Sequence, residues 1–215
     1  MKDRVYIFTG GLLTEHLLSA YEIEKGMIIG VDRGAEWLMK RGVVPEYFVG
    51  DFDSVEADFI ESLKKEYPDR LRLSIPEKDE TDTELAIRLA IKLKPEKIII
   101  FGAIGTRLDH VIANIHILMQ AEKANIPSQI IGASNRIQLL MAGQTKVVEK
   151  SDFPYVSLLP FSETVKGLTI KGFKYPLNNS EMRIGVPLGI SNELIEAYGT
   201  IFIEEGILLI IESKD

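Results

Sequence analysis

From Val5 to Ile131, short apolar runs alternate with stretches of helical periodicity, and this alternation restricts the fold more than any other feature of the chain. Val5-Tyr6-Ile7-Phe8 leads into Thr9-Gly10-Gly11 and then a helical stretch around Glu15 to Tyr21. Met27 to Val31 leads to Asp32, followed by a helix over Ala35 to Arg41. Tyr47 to Val49 leads to Gly50, Asp51 and Asp53, followed by a helix over Val55 to Tyr67. Leu71 to Ile75 reads as a short strand before a helix from Thr81 to Leu93. Ile98 to Phe101 precedes Gly102 and a helix from Leu108 to Lys123, and Ser128 to Ile131 is a further strand. Such alternation predicts an α/β unit, a mostly parallel sheet flanked by helices.

The pattern changes near Ser134. Short strand-like pieces separated by glycine and proline follow: Ile137 to Leu140, Lys146 to Val148, Tyr155 to Leu159, Val165 to Ile170, Glu193 to Tyr198, Thr200 to Ile203 and Ile207 to Ile211. No long helical pattern interrupts them, which predicts a smaller antiparallel unit of sandwich or barrel type. The expected division is residues 1–133 and 134–215, with a short linker near Ala133 to Asn135.

Several function classes drop out on composition. The net charge of −7 argues against nonspecific nucleic-acid binding. It leaves a nucleotide ligand open, because a divalent cation can reverse the local field. The longest apolar runs, such as Ile207 to Ile211, are too short to span a bilayer. The chain has no cysteine, so thiolate zinc sites and cysteine nucleophiles are excluded. The N-terminus runs into a strand-like pattern without a signal-peptide core, and a cytoplasmic location is expected.

Ligands of open parallel sheets bind beyond the carboxyl ends of the strands. The polar residues of the first unit gather at that edge: Thr9-Gly10-Gly11, Asp32, Asp51 and Asp53, the stretch Lys78-Asp79-Glu80-Thr81-Asp82, and Gly102 to His110 with Gly105, Arg107 and Asp109. Carboxylates mixed with basic residues can hold Mg2+ and a polyphosphate together, since Mg2+ takes a few carboxylates plus water and phosphate oxygens. Plainer readings stand beside this one. Asp51-Phe52-Asp53 could be a turn, and Thr81 with Glu84 fits a capping box. Arg107 and Asp109 could simply pair, and His110 and Asn114 share a helical face. Trp37 fits an apolar helical pattern. Gly102-Ala103-Ile104-Gly105 is neither a dinucleotide fingerprint nor a Walker A loop.

Four segments in order, VGDFDS (49–54), KDETDTELA (78–86), GAIGTRLDH (102–110) and GISNEL (189–194), resemble the thiamine pyrophosphokinase family over nearly the whole chain. The resemblance implies an N-terminal α/β domain carrying the ATP site and a C-terminal β-sandwich. It also implies a homodimer whose thiamine sites lie at the subunit interface. The implied reaction transfers the pyrophosphoryl group of ATP to the thiamine hydroxyl, releasing AMP, with Mg2+ assisting. By match to the family pattern, Asp51, Asp53, Asp82, Asp109 and Arg107 form the catalytic set, with Asp51, Asp53 and Asp82 facing the metal. Asp109 is the first candidate to accept or orient the hydroxyl proton, and Asp51 the second. Thr9, Gly10, Gly11, Asp32, Lys78, Asp79, Thr81, Gly105, Arg107 and His110 are expected on the ATP side, and Ser191 and Asn192 on the thiamine side. The chain departs from some members near Ile207 to Glu212, where they carry a tryptophan and this sequence has no aromatic.

Two other functions fit the same acidic edge. One is a Mg2+-dependent phosphohydrolase with an aspartate nucleophile, which would turn over without an acceptor. The other is a noncatalytic nucleotide-binding module, which would bind ATP and release nothing.

Overall fold

The computed structural model describes residues 3–73 and 80–215. The chain separates into two compact units, Met1–Ala133 and Ser134–Asp215.

In the first unit the strands are β1 (Arg4–Phe8), β2 (Met27–Val31), β3 (Tyr47–Gly50), β4 (Leu71–Leu73), β5 (Lys97–Phe101) and β6 (Ser128–Ile131). They pair in the order β4-β3-β2-β1-β5-β6, every pair parallel. Helices α1 (His16–Ala20), α2 (Arg33–Met39), α3 (Ala57–Glu66), α4 (Asp82–Lys92) and α5 (Leu108–Lys123) fall between the strands. Continuous burial explains the unbroken apolar runs: all of Val5 to Phe8 and of Ile98 to Phe101 is shielded from solvent. One apolar cluster joins Tyr6, Phe8, Leu38, Ile99 and Phe101, with Trp37 packed against it and stacked on Phe8. A second joins Ala35, Phe48, Phe52 and Leu63. The mostly parallel, helix-flanked sheet expected from the sequence is therefore present. Ser74 and Ile75 of the fourth expected strand, together with Lys78 and Asp79, lie outside the described residues.

The order of strands places β1 between β2 and β5, so the chain reverses direction across the sheet there. The loops leaving β1 and β5 are laced together. The Thr9 N–H donates to Phe101 O (2.9 Å), that of Gly11 to Gly102 O (2.9 Å) and that of Leu12 to Ile104 O (3.0 Å). A Cβ on Gly11 would stand 2.2 Å from Gly102 O, so only glycine permits this approach. Such a reversal point is where open α/β sheets offer a ligand crevice.

The second unit contains β7 (Asn135–Met141), β8 (Thr145–Glu149), β9 (Tyr155–Pro160), β10 (Thr164–Lys171), β11 (Leu177–Arg183), β12 (Gly189–Glu193), β13 (Tyr198–Phe202) and β14 (Ile207–Ser213). Within it, β12-β9-β14-β7 and β11-β10-β13-β8 form two antiparallel layers. Alternate residues, including Val156, Leu158, Leu168, Ile170, Ile201, Leu208 and Ile210, meet in one core. That two-layer core is a β-sandwich, one of the two arrangements the strand pattern allows and the one the resemblance implies. Two strands differ from the sequence reading. β11, LNNSEMR, carries no apolar run, because Met182 is its only buried residue, and it was not expected. Glu193 to Tyr198 is not one strand: β12 ends at Glu193, β13 starts at Tyr198, and an isolated bridge at Leu194 lies between. Ile195 and Glu196 instead give their N–H groups to Gly172 O, which turns the chain away from the ladder.

Candidate active site

Three unusual backbone positions build the acidic edge of the first unit. Asp32, directly after β2, has φ 45° and ψ −119°, outside the regions that side chains favour. Gly50, the last residue of β3, has φ +141°, and a Cβ there would stand 1.9 Å from Asp32 Oδ1. Phe52 has φ 60° and is buried against Phe59 and its neighbours. Phe52 is thus a peg between the two aspartates. Its N–H donates to Asp32 Oδ1 (3.2 Å), and the Asp53 N–H donates to Asp51 Oδ1 (3.1 Å). The left-handed turn at Phe52 breaks strand alternation, leaving Asp51 half-buried and Asp53 exposed.

Asp82 enters from the first turn of α4. The cap expected there exists, since the Glu84 N–H donates to Thr81 Oγ1 (3.2 Å). The return half of a capping box is replaced. The Glu84 carboxylate accepts from Arg88 (2.9 Å) and from Gln120 Nε2 (2.8 Å), tying α4 to α5. Asp82 is therefore oriented by a capped helix start, where an acid is also favoured by the helix dipole.

One carboxylate oxygen from each of Asp32, Asp51 and Asp82 lies within 4.8 Å of the other two. The group brought together is thus Asp51 and Asp82, as expected for a metal, with Asp32 as third member; Asp53 lies outside that triad. The triad is electrostatically costly as it stands. Asp32 is pushed up to about 7, first by burial and next by Asp82, with Asp51 and Asp53 adding and the Phe52 N–H opposing. A hard divalent cation would relieve that repulsion, and an all-carboxylate oxygen set suits Mg2+.

Farther along the edge, Arg107 and Asp109 make a two-pronged pair, Nε to Oδ1 at 3.3 Å and Nη2 to Oδ2 at 2.6 Å. Arg107 and the His110 backbone hold the Asp109 carboxyl down at about 2, the Arg107 hydrogen bond dominating. Both side chains are open to solvent, as is His110. The pairing read from the sequence is therefore real, and it leaves the guanidinium accessible to a phosphate. Thr9 is buried, its hydroxyl on Phe101 O (3.3 Å), whereas Gly10 and Gly11 are exposed. Gly105 is half-buried on the β5–α5 loop. Two residues to which the sequence gives no role support the edge. Asn114 donates from Nδ2 to Ala103 O (2.9 Å) and pins the β5–α5 loop. Arg33 donates from Nε to Ser54 O (3.0 Å), bringing a cation beside the aspartates. Their signals, a polar residue one turn inside α5 and a basic residue after a strand, are common in any α/β unit.

In the second unit Ser191 is exposed on β12 with φ 54°, and its N–H donates to Ser157 Oγ (3.0 Å). Asn192 is buried, its side chain bonded to both backbone polar groups of Tyr175.

The first unit matches the family model "Thiamin pyrophosphokinase, catalytic domain" over residues 19–130, and the second matches "Thiamin pyrophosphokinase, vitamin B1 binding domain" over 144–208. The chain is 40% identical to a thiamine pyrophosphokinase of Bacillus subtilis over 198 residues, 92% of each chain. The crystal structure of thiamine pyrophosphokinase from Bacillus subtilis superposes with a TM-score of 0.89 at 38% identity, covering 99% of both chains. That of thiamin pyrophosphokinase from Geobacillus thermodenitrificans gives 0.87 at 39% identity, covering 99% of this chain and 98% of the other.

Proposed function

Because this chain belongs to the thiamine pyrophosphokinase family, we propose that it transfers the pyrophosphoryl group of ATP to the hydroxyl of thiamine, yielding thiamine diphosphate and AMP. The observation that carries the chemistry to a place is the meeting of Asp32, Asp51 and Asp82, inside the region matched by the catalytic-domain model. Three carboxylates crowded together, with one pushed up to about 7, are arranged for a cation and not for stability. Mg2+, when bound, neutralises phosphate oxygens and the charge that develops on the departing AMP.

The chain's own residues then divide the remaining work. Asp51 and Asp82, joined by Asp32, would hold the metal, with Asp53 next to them on the exposed side of the turn. Gly10, Gly11 and Gly105 let backbone groups approach the nucleotide at the reversal point of the sheet, beside buried Thr9. Arg107 binds phosphate with its fork of donors. Asp109 orients the thiamine hydroxyl, because a carboxylate held at about 2 is a weak proton acceptor. Asp51 is the remaining candidate to accept the proton. Lys78, Asp79, Thr81 and His110 complete the nucleotide side. The Ser191–Asn192 segment marks the thiamine side.

We further read the working form as a cytoplasmic homodimer with thiamine at the subunit interface. Exposed Ile184, Val186, Leu188 and Ile190 on and before β12 support an apolar contact there. No helix among the described residues is long and apolar enough to cross a membrane. Sedimentation equilibrium checks the dimer.

The deciding experiment mixes the protein with ATP, Mg2+ and thiamine and follows phosphorus by NMR. AMP and thiamine diphosphate should appear together and only when thiamine and the metal are both present. ADP in place of AMP would defeat the pyrophosphoryl assignment. Phosphate release without thiamine would turn the reading to a phosphohydrolase.

A further inference from the structure

β12 leaves regular pairing at the segment assigned to thiamine. Gly189 pairs with Leu158 and Asn192 with Val156, so three steps along β12 match two along β9. The extra residue is accommodated by Ser191 at φ 54°, a conformation unfavourable for any residue but glycine, and asparagine to a lesser degree. Strain of this kind persists only where the surroundings hold it. Two side chains do so. Ser157, half-buried on β9, accepts the Ser191 N–H on its Oγ at 3.0 Å. Asn192, 5% exposed, accepts the Tyr175 N–H (3.0 Å) and the Glu193 N–H (3.0 Å) on Oδ1, and donates from Nδ2 to Tyr175 O (2.9 Å).

An amide oxygen accepts two hydrogen bonds, so the Asn192 Oδ1 has none left for a ligand. Its buried nitrogen spends one of its two N–H donors on Tyr175 O. Ser191 is the opposite case: its backbone is pinned, its side chain is exposed, and its hydroxyl makes no hydrogen bond among the described residues. A hydroxyl can donate and accept, which suits the ring nitrogens and amino group of an aminopyrimidine. We propose that Ser157 and Asn192 are positioning residues for thiamine, acting only by holding the bulge that presents Ser191, and that Ser191 alone of the three touches the ligand. This rests on the assignment of the Ser191–Asn192 segment to thiamine.

Steady-state kinetics with both substrates tests it. Ser157→Ala should raise KM for thiamine about 5- to 10-fold, the value of one neutral hydrogen bond. KM for ATP and kcat should hold, and Ser157→Thr, which keeps the acceptor, should restore KM. In a Ser191→Ala background the Ser157→Ala effect should vanish, because Ser157 works through Ser191. Ser191→Gly should unfold no earlier than the parent, since glycine accepts the backbone angle, yet bind thiamine more weakly. Asn192→Asp should weaken thiamine and its 4′-oxo analogue by the same factor. If Ser191→Ala leaves KM for thiamine alone, the assignment of the segment falls, and the positioning proposal with it. If Ser191→Ala raises KM while Ser157→Ala does not, or the two effects add, the assignment stands and the positioning proposal is overturned. An analogue-dependent factor for Asn192→Asp would make Asn192 a direct contact and overturn its part.

Discussion

The two units place carboxylates in opposite surroundings. In the first, Asp32 sits half-buried among Asp51, Asp53 and Asp82, and its carboxyl is pushed up to about 7. In the second, Glu212 is 2% exposed on β14 but accepts from Arg136 (2.9 Å) and Gln138 (3.4 Å). A buried acid bonded to a cation inside its own unit is a structural joint, whereas acids crowded within reach of one another, one of them pushed up by burial and by its neighbours, favour a ligand that carries positive charge. The same contrast holds for the polar groups at each candidate site. Those on β12 are largely bonded to their own unit, while Asp53, Arg107 and Asp109 at the sheet edge stand open to solvent. The second unit thus settles its buried acid internally, whereas the first leaves acids crowded together for a charged ligand.

The largest effect expected from this contrast is on turnover. Asp51→Asn and Asp53→Asn should each lower kcat about 1,000-fold, the scale of losing a group that organises charge stabilisation. Far-UV circular dichroism should stay at the parent signal, because both side chains lie outside the apolar clusters. Undiminished turnover in both variants would remove the reason for treating the edge as a site. Gly50→Ala attacks the same place through the backbone. At φ +141° and with its new Cβ 1.9 Å from Asp32 Oδ1, the variant should lose about 3 kcal/mol of stability. It should also bind Mn2+, read by EPR as a stand-in for Mg2+, more weakly than the parent. Tight Mn2+ binding in that variant would separate the metal from Asp32.

In the second unit, neutralising the acid should act on stability alone. Glu212→Gln leaves Arg136 without its counter-charge in a largely buried position, and about 2 kcal/mol should be lost at pH 7. Urea unfolding at two pH values measures it. A stabilised variant would mean that Glu212, like Asp32, is held against its preference, and the contrast between the units would fail.

Much of this was legible in the residues because alternation and loop position are local. The loops after β1, β2, β3 and β5 at the carboxyl edge, the helix over Leu108–Lys123 and the cap at Thr81 follow from periodicity and from Thr81-Asp82-Thr83-Glu84. The partition of the aspartates was not legible. Asp51 and Asp53 look equivalent in the string, and only the left-handed peg at Phe52 sends one toward Asp82 and leaves the other exposed. Asp32 carried little signal because its place in the triad depends on Gly50, 18 positions on, lacking a side chain. β11 escaped because Asn178, Asn179 and Ser180 give no apolar alternation, and its pairing to β10 is settled by a partner strand. The division of labour between Ser191 and Asn192 likewise depends on Tyr175 and Ser157, which no local pattern connects to them.

The smallest effect has the most informative sign. Asp32 titrates at about 7 in the folded chain against an ordinary value of 3.8, so between those values the folded state binds more protons than the unfolded one. Stability then falls as pH rises from about 4 to about 7 and is level above. Asp32→Asn removes that loss and keeps an oxygen to accept the Phe52 N–H, so it should stabilise by about 1–2 kcal/mol at pH 8. The gain should shrink toward zero near pH 4, where the parent carboxyl is already protonated. Any benefit from asparagine tolerating φ 45° is independent of pH and shows as a constant offset. Mg2+ should raise the parent's melting temperature at pH 8 and leave the variant's nearly still, because the cation relieves the repulsion that the substitution has already reduced. Glu212→Gln should show neither the stabilisation nor the metal dependence. If Asp32→Asn instead destabilises at pH 8 as Glu212→Gln does at pH 7, the acidic edge is a structural joint like its counterpart, and the cation it was built around would have to be sought elsewhere.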